Sequence, residues 1–174
     1  MSGRLAIKAI NLEKDYGRII ALKGISFDVK EGEIFGLIGP NDAGKSTTLR
    51  ILATLLKPSA GRAEVYGHDV VKEAKEVGKL ISYLPEEAGA YKNLTGYEYL
   101  EFMAKLYSKT ERSVDKMLKL GVEIEVEFLC DRVALINRGI IVEVGTPKEL
   151  KERYNAENLE EVFMKAVAKM EVKF

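Results

Sequence analysis

The sequence predicts an α/β fold in which an antiparallel sheet precedes a unit of strand, glycine loop and helix. Three observations carry this expectation. Leu5 to Ile10 and Ile25 to Val29 alternate apolar and polar residues, the two-residue period of half-exposed antiparallel strands. Ile34 to Ile38 is a short, nearly continuous apolar run, the pattern of a strand buried on both faces of a parallel sheet. A glycine-rich loop follows at once, and from Lys45 onward Leu49, Leu52, Leu55 and Leu56 recur at helical spacing until Pro58 and Gly61.

The remaining elements follow in order. Tyr16-Gly17 and Glu31-Gly32-Glu33 are turn signals around the first strands. Ala63 to Tyr66 reads as a strand closed by Gly67, Val70 to Val77 as a charged helix, and Leu80 to Leu84 as a strand ending at Pro85. Gly96 to Leu106 and Ser113 to Leu120 read as helices, with Tyr97, Leu100, Met103, Ala104 and Tyr107 on one apolar stripe. Val122 to Val126 alternates like a strand, yet Phe128 to Arg132 continues in helical style. Val133 to Ile136, Asn137-Arg138-Gly139 and Ile140 to Val144 predict a β-hairpin. Thr146-Pro147-Lys148-Glu149 is a capping box with proline at the first helical position. An amphipathic helix over about Leu159 to Met170 closes the chain.

Composition bounds the function. A chain of 174 residues with 47% hydrophobic content is long enough for one folded unit with its own core. Lys+Arg and Asp+Glu each number 27, so no global field draws the chain to nucleic acid or to an anionic membrane. The single cysteine, Cys130, lies in an apolar stretch, reads as a buried small hydrophobe and fits a cytosolic compartment. No apolar run reaches the length of a transmembrane helix, so membrane contact is expected only through a partner. The one histidine, His68, lies in Tyr66-Gly67-His68-Asp69 and reads as a solvated turn residue.

One motif carries chemistry. Gly39-Pro40-Asn41-Asp42-Ala43-Gly44-Lys45-Ser46 matches G-x-x-x-x-G-K-[ST] between a strand and a helix, the context of a phosphate-binding P-loop. Consecutive backbone N–H groups at a helix N-terminus make an anion nest to which the helix dipole adds partial positive charge. In that geometry Lys45 reaches the β- and γ-phosphates of a nucleotide and the Ser46 hydroxyl ligates Mg²⁺. Asp42 works against this, because a carboxylate about 6 Å from phosphate costs roughly 3 kcal/mol at an effective dielectric near 20. Aspartate nevertheless tolerates left-handed backbone. The expectation is nucleotide binding that is weakened, not abolished.

The wider pattern resembles the ATP-binding subunits of ABC transporters over nearly all of residues 4 to 170. The family's loop usually reads GPNGAGKST, from which Gly39 to Thr47 differs only at Asp42. Lys14-Asp15-Tyr16-Gly17 is similar to the aromatic loop whose ring stacks on adenine, although by its own context Tyr16 reads equally as a plain turn residue. Ile81 to Glu86 is similar to the segment leading into the Q-loop, which couples the nucleotide site to the membrane partner. Glu86 stands where glutamine is commonest and keeps an oxygen for Mg²⁺, or else forms a surface acidic pair with Glu87. Tyr91, Tyr97 and Tyr99 fall in the region that faces coupling helices in the family, or belong to the core of a small helical subdomain. Phe128 to Leu150 resembles the segment after the family's switch histidine. The resemblance implies a P-loop NTPase-like fold, ATP or ADP with Mg²⁺, a membrane permease as partner, pairing with a second copy or a full-length ABC ATPase, and a cytoplasmic position at the inner face of the membrane.

The same resemblance implies a loss. Between Leu120 and Val126 the family carries a long block absent from this sequence: no serine-glycine-glycine signature is present, and no run of four hydrophobic residues followed by Asp-Glu. Residues 122–127 then read as a junction between a helical remnant over about 87–121 and the late segment 128–174 of one ABC-type domain. Two strands expected beside the P-loop strand go with that block, leaving the central parallel sheet incomplete. Three functions are compatible with these features: a nucleotide-binding subunit with hydrolysis impaired or lost, a non-hydrolysing regulatory or interaction protein, and an inert remnant.

Overall fold

The structure is a computed structural model that describes residues 4–83 and 130–171. All but Ser82 and Tyr83 of these lie in one compact unit, formed by the N-terminal part of the chain and the segment beginning at Cys130. The readings of Glu86, of Tyr91, Tyr97 and Tyr99, of the helices at 96–106 and 113–120 within the remnant 87–121, of the junction 122–127, and of the first two residues of the segment 128–174 fall outside the described residues. Among the described residues no helix is long and apolar enough to cross a membrane.

Strands β1 (Leu5–Asp15) and β2 (Ile20–Lys30) form a long antiparallel hairpin, and β4 (Ala60–Val65) and β5 (His68–Asp69) extend it in the order β2-β1-β4-β5. The alternation read from the sequence holds, and both strands run further than its apolar positions alone require. Tyr66 and Gly67 both take positive φ, 50° and 84°, the two-residue turn that matches the twist of an antiparallel pair. His68 therefore lies in a short strand rather than in the turn. Its Nδ1 is 2.9 Å from Glu73 Oε1.

The second sheet has the order β3-β6-β7, from β3 (Phe35–Ile38), β6 (Arg132–Asn137) and β7 (Ile140–Gly145). The first pair is parallel and the second is the expected hairpin, turned at Arg138 and Gly139 with φ 48° and 79°. Here the sequence expectation for β3 is corrected. Its residues are half-buried, not buried on both faces, because among the described residues β3 has β6 on one side only. The strand buried on both faces is β6. Val133 and Leu135 face one core with Leu150, Leu159 and Val162, while Ile136 enters a second core with Leu12, Leu22, Ile25 and Ile51.

Helix α1 (Lys45–Leu52) also departs from expectation. Its buried residues are Thr48, Ile51 and Leu52, whereas Leu49 and Leu55 of the predicted stripe are 47% and 65% exposed. Thr48 takes an interior position because its hydroxyl donates to the Gly44 carbonyl at 2.9 Å, a bond that satisfies it within the helix. Helix α2 (Ala74–Leu80) begins later than predicted. The Asp69 carboxylate accepts from the N–H groups of Val71 and Lys72, both at 2.9 Å, which holds that stretch in a turn. These bonds, Lys72 first and then Val71, lower the Asp69 pKa. Leu80 belongs to α2 and no strand follows at 81–83, so the strand predicted from Leu80 is not formed there.

The late segment is stitched to the start of β3. Asp131 N–H donates to the Ile34 carbonyl at 2.9 Å, and Ile34 N–H donates to Asp131 Oδ2 at 2.8 Å. Arg132 opens β6 instead of continuing a helix. Its guanidinium meets Glu33, whose side chain is only 7% exposed, at 3.1 Å and lies 5.6 Å from the Phe35 ring centroid. Cys130 is half-buried rather than fully buried, packed beside Gly36, and burial followed by the Asp131 charge pushes its thiol up. A raised thiol pKa makes it a poor nucleophile.

Helices α3 (Pro147–Tyr154) and α4 (Leu159–Glu171) complete the unit. The capping box forms in full: Glu149 N–H donates to Thr146 Oγ1 and Thr146 N–H donates to the Glu149 carboxylate, both at 3.1 Å. Tyr154 ends α3 with its hydroxyl donating to Glu143 Oε1 at 2.6 Å. Burial first, then this bond, pushes the phenol from 10 up to about 12. The folded state thus favours the neutral phenol, and that stabilisation is complete below pH 10 and disappears as pH rises through about 12. Tyr154→Phe is expected to be less stable than the parent by about 1 kcal/mol near neutrality, with the difference closing between pH 10 and 12 in urea titrations.

Candidate functional site

The loop 39–44 connects β3 to α1, and three contacts shape it. At Gly39 an added Cβ would lie 2.1 Å from the Ile136 carbonyl oxygen, so the chain passes β6 too closely for any side chain. At Gly44 φ is 110°, and a Cβ there would meet Leu22 and the Ala21 carbonyl at 2.7 and 2.9 Å. This glycine caps α1 with a left-handed backbone that leaves no room for another residue. The third contact comes from the β6–β7 turn: Gly139 N–H donates to the Ala43 carbonyl at 2.9 Å, and Lys23 N–H donates to the Gly139 carbonyl at 2.9 Å. One residue of the late segment thereby braces the loop against β2. Sequence reading missed this role, although Asn137-Arg138-Gly139 marked the turn that provides it.

The ladder of α1 starts with Thr48 N–H donating to the Gly44 carbonyl at 2.9 Å, so the amides of Lys45, Ser46 and Thr47 precede its first rung. No acidic residue stands in the first turn and no side chain caps it. The Lys45 ammonium folds back over the loop and donates to the carbonyls of Gly39 at 2.8 Å and Pro40 at 2.7 Å. A cation thus lies over the loop at the N-terminus of α1, the arrangement that attracts an anion. Pro40, Asn41 and Asp42 are exposed at the loop's crest while Ala43 and Gly44 are buried beneath it. Asp42 has φ 61°, in the left-handed region.

Tyr16 is brought to the same end of the molecule. Its neighbour Asp15 pairs with Ile20 at the start of β2, and the next residue, Ala21, touches Gly44. Tyr16 is 53% exposed. Thr48 supports the loop from below and was also missed; the signal for it was a threonine four residues after a glycine cap. Glu86 lies outside the described residues, and among those residues no group of three or more His, Cys, Asp or Glu gathers as a metal site.

Residues 22–161, most of the chain, match the family described as ABC transporter. The chain belongs to the ABC transporter family.

Within it, the chain is 27% identical to the linearmycin resistance ATP-binding protein of Bacillus subtilis (strain 168), with 88% of this chain and 73% of that protein covered. That alignment runs over 227 positions although this chain has 174 residues, so part of the relative has no counterpart here. It is 45% identical to the daunorubicin/doxorubicin resistance ATP-binding protein of Streptomyces peucetius, covering 58% of this chain and 31% of that protein. It is 35% identical to the bacitracin transport ATP-binding protein of Bacillus licheniformis, covering 74% and 43%. The chain thus spans less than half the length of two of these relatives. Among solved structures, an ATP-binding subunit of an ABC transporter superposes with a TM-score of 0.71 at 17% identity, over 93% of this chain and 99% of that one. The fold is that of the P-loop ATPase subunits of this family.

Proposed function

We propose that this chain binds the phosphates of ATP or ADP at Gly39 to Thr47 and hydrolyses ATP far more slowly than complete ABC ATPases. The observation that carries the reading is the Lys45 ammonium folded over the loop 39–44 at the N-terminus of α1. The residues fit the ligand. Lys45 keeps its two loop carbonyls and turns its third N–H to a phosphate oxygen, the amides of Gly44 to Thr47 add donors, and Tyr16 offers an exposed ring to the base. Mg²⁺ would be held by the Ser46 hydroxyl, with Glu86 as the further oxygen, since Mg²⁺ sites draw mainly on phosphates and waters.

Hydrolysis needs more than binding. A general base contributes about 10²- to 10⁴-fold. The sequence has no Asp-Glu pair after a hydrophobic run to supply one, and its only histidine is already engaged with Glu73. Family membership supports a membrane permease as partner and a cytoplasmic position beside it, and β3, which among the described residues pairs with β6 alone, offers a side at which a second copy or a full-length ABC ATPase would pair. Steady-state phosphate release with saturating ATP and Mg²⁺ tests the reading. Turnover at least about a hundredfold below about 1 s⁻¹ is expected; a rate near 1 s⁻¹ refutes the loss of hydrolysis.

A further inference from the structure

We propose that Lys14 is a positioning residue for the base-stacking ring of Tyr16, an inference that rests on the nucleotide-binding reading above. Lys14 lies near the end of β1 and Tyr16 just beyond it, and the Lys14 ammonium sits 5.1 Å from the Tyr16 ring centroid. The same ammonium donates to the Lys57 carbonyl at 2.9 Å. Lys57 lies in the connection that leaves α1, so the ammonium ties the ring to the element that begins at the phosphate loop. The surrounding backbone is pinned independently: Ser59 N–H donates to the Glu13 carbonyl at 2.8 Å, and Asp15 N–H donates to Ser59 Oγ at 3.0 Å. At the hairpin tip Tyr16 N–H donates to the Ile19 carbonyl at 3.0 Å.

What this scaffold leaves undetermined is the ring itself. Half-exposed and at a turn, an aromatic side chain has several rotamers open to it. A cation fixed over one face selects among them, because the ring's quadrupole attracts it there. One face is thereby occupied by Lys14 and the other is left for a planar ligand. Lys14 touches no phosphate in this scheme; it acts through Tyr16 on the base alone.

The test separates base from phosphate. Equilibrium binding is measured for ATP and for inorganic triphosphate in the parent, Lys14→Met, Lys14→Arg and Tyr16→Ala. Lys14→Met keeps the aliphatic stem and is expected to weaken ATP by about two- to fivefold, the size of a cation–π contact at an exposed ring, with triphosphate affinity unchanged. Lys14→Arg restores ATP affinity, and in the Tyr16→Ala background Lys14→Met has no further effect. An equal loss for both probes would make Lys14 a phosphate counter-charge and overturn the proposal. So would an unchanged ATP affinity in Lys14→Met. A parent chain that binds neither probe overturns the nucleotide reading itself, and this proposal with it, whereas parent binding without a Lys14 effect overturns this proposal alone.

Discussion

Lys45→Ala is expected to bind ATP about ten- to a hundredfold more weakly than the parent in equilibrium titrations with a fluorescent ATP analogue. A charge-assisted hydrogen bond is worth about 1.5–3 kcal/mol, and removing the ammonium deletes at least one such bond to a phosphate oxygen. A second effect runs the same way. The ammonium holds the carbonyls of Gly39 and Pro40 at 2.8 and 2.7 Å, so its loss also unfastens the loop whose amides form the rest of the site. The two contributions are separable, because Gly39 and Gly44 are held from the other side by β6 and β2. The loop's fold should survive, and the melting temperature of Lys45→Ala should stay near that of the parent. Unchanged ATP affinity in a folded Lys45→Ala chain would remove the P-loop from any nucleotide site.

The opposite change is expected at the neighbouring position. Asp42→Gly should bind ATP more tightly, by up to about a hundredfold at low salt, since a carboxylate about 6 Å from phosphate repels it by roughly 3 kcal/mol at an effective dielectric near 20. Asp42 is exposed, so this is an upper bound that shrinks as salt is raised. Glycine also suits the backbone. With φ at 61° the residue is left-handed, and a side chain there costs on the order of 1 kcal/mol relative to glycine. Asp42→Asn separates the two effects, because it removes the charge while keeping a residue that tolerates this conformation. Equal gains in Asp42→Asn and Asp42→Gly would assign the weakness to charge, and no gain in either would show that the carboxylate stands clear of the ligand.

Both predictions depend on features of unequal legibility. The P-loop, the Thr146 capping box, the Arg138-Gly139 turn and the final helix were readable from the sequence, because each is set by a local backbone demand. A left-handed φ asks for glycine or asparagine-like residues, orphan amides at a helix start ask for threonine and glutamate, and proline fits a first helical turn. Those demands act within a few residues. They are met or not met whatever the rest of the chain does.

Which faces are buried is a different matter. Leu49 and Leu55 have helical spacing but point away from the described core, while Thr48 goes inside. Ile34 to Ile38 is apolar throughout, yet β3 is half-buried and among the described residues has only β6 beside it, and it is β6 that is enclosed. Asp69 delays α2 by capturing two amides that periodicity had assigned to a helix. The sequence by itself determined the glycine loop between β3 and α1, the turn types and the helix caps. Only the tertiary structure decided that Gly139 braces that loop, that Arg132 meets Glu33 at the head of β3, and that Lys14 lies over Tyr16. The reason is that burial and long-range contact depend on which partner arrives at a face, and partners such as Arg132 and Glu33 lie 99 residues apart along the chain.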